Sequence, residues 1–408
     1  MENRGKESAQ NTALTGTAGA GKSTIARVAV NHETIARAFG HARHWIPCQT
    51  LPTVEGLLNG LADSMPLEKR TARPLDDILL YLNDNKSSFL IVFDDFSRPE
   101  NDIELKLLED ALERLNRITH VHMLLTSRDL PLPGNVGWLH LLVQPLSLEA
   151  AINTYNAISP HHDDEIEDLV RILDCNPFAI VVMARQGERP AEQLKSLRST
   201  GRSGRSPIDN AIQMSLSSRR FESVPEALTI LAILAKLPRG AHYAKLAEIA
   251  PGMQNHWKAL AALLESSLAT READGYVQVQ GPTRNYLARN HVLEPVHLNA
   301  LRAYYLRICE GCWEELGTKG FERAAKVLVI EGANARAMLL ESLESSPGTG
   351  AIRAAVGYTN FVYHDIPSTD VIVKTIEVIE QTPSLDPESN LLPICYFHYA
   401  RLLYRFDK

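Results

Sequence analysis

The chain has 408 residues, 45% of them apolar and 22% charged, with a formal net charge of −7. This is ordinary globular composition, long enough for about two to four domains. The acidic balance argues against wholesale binding of nucleic acid, and no apolar run approaches the ~18 residues of a membrane span. The start, Met1-Glu2-Asn3-Arg4-Gly5-Lys6, lacks the apolar core of a secretory signal. Five scattered cysteines (Cys48, Cys175, Cys309, Cys312, Cys395) fit a reducing compartment, so a cytoplasmic location is expected.

Residues 1–11 read as a disordered leader. Thr12–Thr15 then reads as a strand entering Gly16-Thr17-Ala18-Gly19-Ala20-Gly21-Lys22-Ser23, which fits the phosphate-binding pattern G-x-x-x-x-G-K-[ST] in full. A helix from Thr24 to Val30 leaves the loop. Its glycines let backbone N–H groups curl around phosphates, and the helix N-terminus adds partial positive charge. Lys22 would pair with the β- and γ-phosphates, and Ser23 would bind Mg²⁺.

A short strand at His44–Cys48 and helices at Val54–Met65 and Leu75–Leu82 follow. Ser88–Asp95 is a strand with five apolar residues in a row, the pattern of burial on both faces, ending in Asp94 and Asp95. In a phosphate-loop protein one carboxylate there holds Mg²⁺ through water, and the second orients or deprotonates the attacking water. The plain alternative is a polar pair closing a strand. After a helix at Ile103–Arg117, the strand Val121–Leu125 leads into Thr126-Ser127-Arg128. Ligands bind at the carboxyl ends of such strands, so Arg128 would face the γ-phosphate, or else be a solvated loop arginine. Trp138–Val143 is the fifth strand. Strands alternating with helices over 12–146 predict a parallel sheet covered on both faces.

Beyond Pro145 the pattern is helical. Helices are expected from Ser147, at Asp164–Leu173 and at Pro177–Arg185, and Gly187–Ser206 reads as a linker or exposed loop. Residues 207–294 read as helices followed by the strand Tyr276–Val279, compatible with a winged-helix module. Residues 295–408 read as a helical tail with traces of a 34-residue hairpin period. The lone pair Cys309 and Cys312, and the run His161–Glu165, read as structural and not as metal sites.

Taken in order, Gly16–Ser23, Leu90–Asp95, Leu125–Arg128 and Asn176-Pro177-Phe178 resemble the STAND ATPases of the NB-ARC type, found in NOD-like receptors including fungal members with tetratricopeptide tails. The resemblance implies an α/β P-loop NTPase followed by a helical subdomain, a winged helix and an all-α tetratricopeptide-like tail, shortened at both ends. It implies ATP or ADP with Mg²⁺, cradled by residues 16–23 and Thr24. Lys22, Asp94, Asp95 and Arg128 would take the catalytic roles, with Ser23 and Asp94 on the metal. Pro177 would match a nucleotide-contacting proline of the family. Gln280 stands where the family presents a histidine to ADP; glutamine can donate a hydrogen bond but cannot become cationic. The implied function is a switch for innate-immunity-like signalling, with slow hydrolysis. ADP would hold a closed monomer, ATP an open homo-oligomer, and protein partners would bind the tail. Two other readings stay open: a work-performing ATPase whose winged helix binds DNA, and a non-hydrolysing scaffold. The helix expected at Asn255–Ser266 offers only His256 and Lys258 to DNA, so nucleic acid is not the expected partner.

Overall fold

The computed structural model describes residues 11–50, 53–67, 73–99, 102–128, 130–200, 206–313, 318–364, 368–386 and 390–406. Residues 1–10 of the expected leader lie outside that set. The chain divides into two units, one running to Gln144 and one covering Pro145–Leu402.

The first unit is built on a parallel sheet. Strands β1 (Asn11–Thr15), β2 (Arg43–Pro47), β3 (Phe89–Phe96), β4 (Val121–Ser127) and β5 (Leu139–Leu142) lie in the order β2-β3-β4-β1-β5. Every pairing is parallel. The two-residue alternation of a strand sorts side chains between two cores. Ala13, Ile46, Ile91, Phe93, Met123 and Leu125 pack on helices α3 (Val54–Asp63), α4 (Pro74–Asp84) and α5 (Asp102–Asn116). Leu14, Leu90, Val92 and Leu124 pack on α1 (Lys22–Asn31) and α2 (Glu33–Phe39). β3 is buried along almost its whole length, as its apolar run predicts. Among the described residues β5 pairs only with β1, and its leucines stay exposed. Asn11 is buried at the foot of β1. Its amide donates to Asn116 Oδ1 (2.6 Å) and Val136 O (3.4 Å), and its oxygen accepts the Met123 N–H (2.9 Å).

The second unit opens with helices α6 (Leu148–Ile158), α7 (Ile166–Ile172), α8 (Pro177–Ala184) and α9 (Pro190–Thr200). The last of these corrects the expected linker over 187–206; residues 201–205 lie outside the described set. Leu194 and Leu197 are buried one helical turn apart. Gln193 is fully buried, accepting from the Tyr155 hydroxyl (2.9 Å) and donating to Met183 O (2.8 Å). That polar network gives a helix of weak amphipathic pattern a fixed docking site.

After α10 (Pro207–Leu216) and α11 (Arg219–Glu222) come α12 (Glu226–Lys236), β6 (Ala241–His242), α13 (Leu246–Ile249) and α14 (His256–Glu265). β7 (Ala269–Arg271), β8 (Tyr276–Val279) and α15 (Gly281–Asn290) follow. The three strands form an antiparallel sheet in the order β6-β8-β7. A helix, a strand, two helices and two strands is the order a winged-helix module would have. The tail consists of α16 (Pro295–Glu310), α17 (Lys319–Ser345), α18 (Thr349–His364), α19 (Asp370–Gln381) and α20 (Leu391–Phe406). From α16 to α19 helices pack on their next and next-but-one neighbours, as in stacked tetratricopeptide-like hairpins.

One buried polar hub ties the small sheet to the tail. Glu331 of α17 accepts from the Tyr276 hydroxyl (2.5 Å), the Tyr305 hydroxyl (3.0 Å) and Asn334 Nδ2 (2.6 Å). Asn334 also donates to Gly240 O (2.8 Å) and accepts the Arg239 N–H (3.0 Å). Burial, and then Glu331, push both tyrosine pKa values well up. A phenol whose folded pKa exceeds its unfolded value of about 10 stabilises the fold fully below that pH, and the stability is lost as pH rises above it. The thermal midpoint should therefore be flat from about pH 7 to 9 and fall above about pH 10. Ultraviolet tyrosinate absorbance checks this: ionisation of Tyr276 and Tyr305 well before unfolding would contradict it, and Tyr276→Phe should flatten the fall.

No helix among the described residues is long and apolar enough to cross a membrane. The five cysteines are free thiols, and burial pushes Cys312 and Cys395 each up to about 12.

Candidate functional site

The phosphate loop leaves the carboxyl end of β1. Gly16, at φ 148°, passes so close to the end of the sheet that a Cβ would stand 2.8 Å from Val143 O. The Val143 N–H donates to Thr15 O (2.7 Å), and Thr15 Oγ1 lies 2.5 Å from His140 Nε2. These contacts seat the loop's first residue. Gly21, left-handed at φ 93°, caps α1. A side chain there would meet nothing within 4 Å, so space lies open beside the helix start.

Lys22 is buried, and its ammonium donates to Gly16 O and Thr17 O, both at 2.9 Å. Thr17 and Thr24 are exposed; Ala18, Gly19 and Ser23 are half-buried, and Ala20 is buried. A helix N-terminus behind a glycine-rich loop, and a cation held at the loop carbonyls, suit a polyphosphate.

The acidic pair stands on a bulge between β3 and β4. The ladder runs in step from Phe89↔Val121 to Phe93↔Leu125, then jumps to Phe96↔Ser127. Two residues, Asp94 and Asp95, thus face one, Thr126. Asp95 takes a left-handed conformation at φ 51°, uncommon for a residue with a side chain. Asp94 is buried and accepts from the Thr126 hydroxyl (2.6 Å), which in turn accepts the Asp95 N–H (2.8 Å). Ser127 donates to Phe96 O (2.9 Å). Arg128 Nε lies 3.8 Å from Asp95 Oδ1. The expected site residues Asp94, Asp95 and Arg128 therefore meet at one strand end, with Arg128 paired to Asp95.

A cavity of about 340 Å³ beside this pair is lined by Cys48, Thr53, Leu57, Asp95, Phe96 and Arg98 among others. Burial and then the charges of Asp94 and Asp95 push the Cys48 thiol well up. The hard oxygens of Asp94 and Ser23 are the donors that Mg²⁺ prefers.

Pro177 and Gln280 belong to the second unit, and each stands at a helix start. Pro177 is the first residue of α8, capped by Asn176 Oδ1 accepting the Ala179 N–H (3.2 Å). Gln280 precedes α15, where its side chain makes no capping hydrogen bond. The Thr126 hydroxyl, His140 and Val143 were not singled out by sequence. Only Thr126 carried a signal, as the first residue of the Thr-Ser-Arg run after β4.

Residues 3–151 match the NB-ARC domain model. No curated protein matches the chain. Among solved structures, the chain is similar to a signal transduction ATPase with numerous domains (STAND) protein with a tetratricopeptide repeat sensor, from Pyrococcus horikoshii. The TM-score is 0.50 at 14% identity, covering 98% of this chain. The chain spans 65% of that protein's length. At that identity the likeness concerns the fold.

Proposed function

We propose that this chain, a P-loop NTPase of the STAND class and NB-ARC type, is a signal-transduction switch that adenine nucleotide holds in one of two states. The observation that carries the reading is the formed phosphate loop, with Lys22 buried and held on the carbonyls of Gly16 and Thr17. In this reading residues 16–24 hold the phosphates and Lys22 neutralises them. Asp94 and Ser23 hold Mg²⁺, which when bound offsets charge on the phosphate oxygens. Asp95 orients water for slow hydrolysis, and Arg128 exchanges its Asp95 partner for the γ-phosphate. Pro177 and Gln280 contribute to ADP binding from helix starts, which suit an anion.

We assign residues 12–146 to the NTPase domain, 147–206 to a helical subdomain, 207–294 to a winged helix and 295–408 to a tetratricopeptide-like sensor for a protein partner. ATP opens the molecule to a homo-oligomer, in cytoplasmic signalling of the innate-immunity kind. The α14 surface favours this over a DNA-binding motor. Its exposed positions carry Trp257, Lys258, Ala261 and Glu265, too little positive charge to hold a phosphate backbone.

The test is to denature purified protein and identify the released nucleotide by chromatography. Near-stoichiometric ADP is expected from the parent and none from Lys22→Ala, whose affinity should fall about 10- to 100-fold for loss of charge-assisted hydrogen bonds. A parent that is empty and also fails to bind added ATP or ADP would sink the reading.

A further inference from the structure

We propose that Thr126 is a positioning residue that sets the metal-binding carboxylate, and so couples nucleotide binding to Mg²⁺. The inference rests on the reading of the phosphate loop given above.

At the bulge the backbone ladder is interrupted, and the Thr126 hydroxyl bridges the gap. It is fully buried. Its lone pair takes the Asp95 N–H at 2.8 Å, so its one proton is committed to Asp94 Oδ1 at 2.6 Å. The direction of that hydrogen bond is therefore fixed: Asp94 must be the acceptor, and one of its oxygens is held by protein. A buried carboxylate held this way is oriented before a cation arrives, as outer-shell partners of metal ligands generally are. The same hydroxyl holds the Asp95 backbone in its left-handed conformation, from which the Asp95 side chain reaches Arg128 at 3.8 Å. Thr126 thus acts on both carboxylates without being a ligand itself.

The experiment compares the parent, Thr126→Val and Thr126→Ser by titrating a fluorescent ADP analogue with Mg²⁺ present and with metal chelated. Valine keeps the shape of threonine and removes both hydrogen bonds; serine keeps the hydroxyl. The parent and Thr126→Ser should bind more tightly with Mg²⁺. Thr126→Val should lose that gain by about 10-fold or more, the usual scale for an outer-shell partner, while its metal-free affinity stays within about twofold of the parent. The proposal is overturned if Thr126→Val keeps the Mg²⁺ gain, if its metal-free affinity falls equally, or if Thr126→Ser behaves like valine. If Thr126→Val does not fold, the same comparison with Thr126→Ala decides the matter by the same criteria. A parent that binds no nucleotide at all overturns the switch reading and this one with it; a parent that binds and gains from Mg²⁺ while Thr126→Val is unaffected overturns this one alone.

Discussion

Replacing Glu331 by leucine should cost about 3 kcal/mol of stability, because three buried donors lose their shared acceptor. The Tyr276 and Tyr305 hydroxyls and the Asn334 amide converge on that carboxylate. Each unsatisfied buried donor costs about 1–3 kcal/mol. Two effects pull the other way: leucine has no charge to desolvate, and Asn334 keeps Gly240 O as a partner. The donors' loss wins because two hydroxyls are stranded at once. Glu331→Gln should cost only about 1 kcal/mol, since it retains one acceptor oxygen. Adding Tyr276→Phe and Tyr305→Phe to Glu331→Leu should recover much of the loss, because both stranded hydroxyls are then gone and only one N–H of Asn334 stays unpaired. Denaturant midpoints at neutral pH measure all three. A loss under about 1 kcal/mol for leucine would show that the donors find other partners.

Gly357→Ala should destabilise the tail by about 2–3 kcal/mol, against the helix preference of alanine. Gly357 is buried in α18, where a Cβ would stand 2.2 Å from Cys309 O and 3.1 Å from Trp313 N. Both are backbone atoms, so no rotamer change relieves the overlap. α18 and the end of α16 would have to move apart, loosening the buried Cys309 and Cys312 beside them. Alanine's intrinsic gain over glycine, about 1 kcal/mol, is too small to offset this. Gly332 in α17 is the control, since a Cβ there meets nothing within 4 Å. Gly332→Ala should stabilise by about 0.5–1 kcal/mol. Thermal melts of the two variants should move in opposite directions; a shared direction would refute the packing argument.

Much of the first unit was legible because strong signals coincide there. The loop Gly16–Ser23 carries a fixed pattern, and β3 announces itself by an apolar run ending in two aspartates. α2 was not read: it spans seven residues, buries none of them fully, and is separated from α1 by His32 alone. A periodic signal needs more turns than that. β6 and β7, at two and three residues, are likewise too short to show alternation. The helix α9 hid behind an Arg, Ser and Gly composition because its docking rests on Gln193, a residue that pattern counts as polar surface. In the candidate site, Lys22, Asp94, Asp95 and Arg128 were picked out by type and order. The Thr126 bridge was not, since a bulge is set by how two distant strands meet and leaves no local trace.

Asn11 decides something that the apolar residues of β1 cannot. Side chains along a strand repeat every two residues, so sliding β1 by two positions between β4 and β5 would keep its inward and outward faces sorted. Such a slip would carry the phosphate loop about 7 Å along the strand axis, away from the end of the sheet and from Asp94. The amide of Asn11 has its acceptors and donor only where it now sits, on Asn116, Val136 and Met123. Displaced, it would be buried without them. A single polar side chain at the far end of a five-residue strand therefore keeps the loop at Gly16–Ser23 in step with the ends of the neighbouring strands.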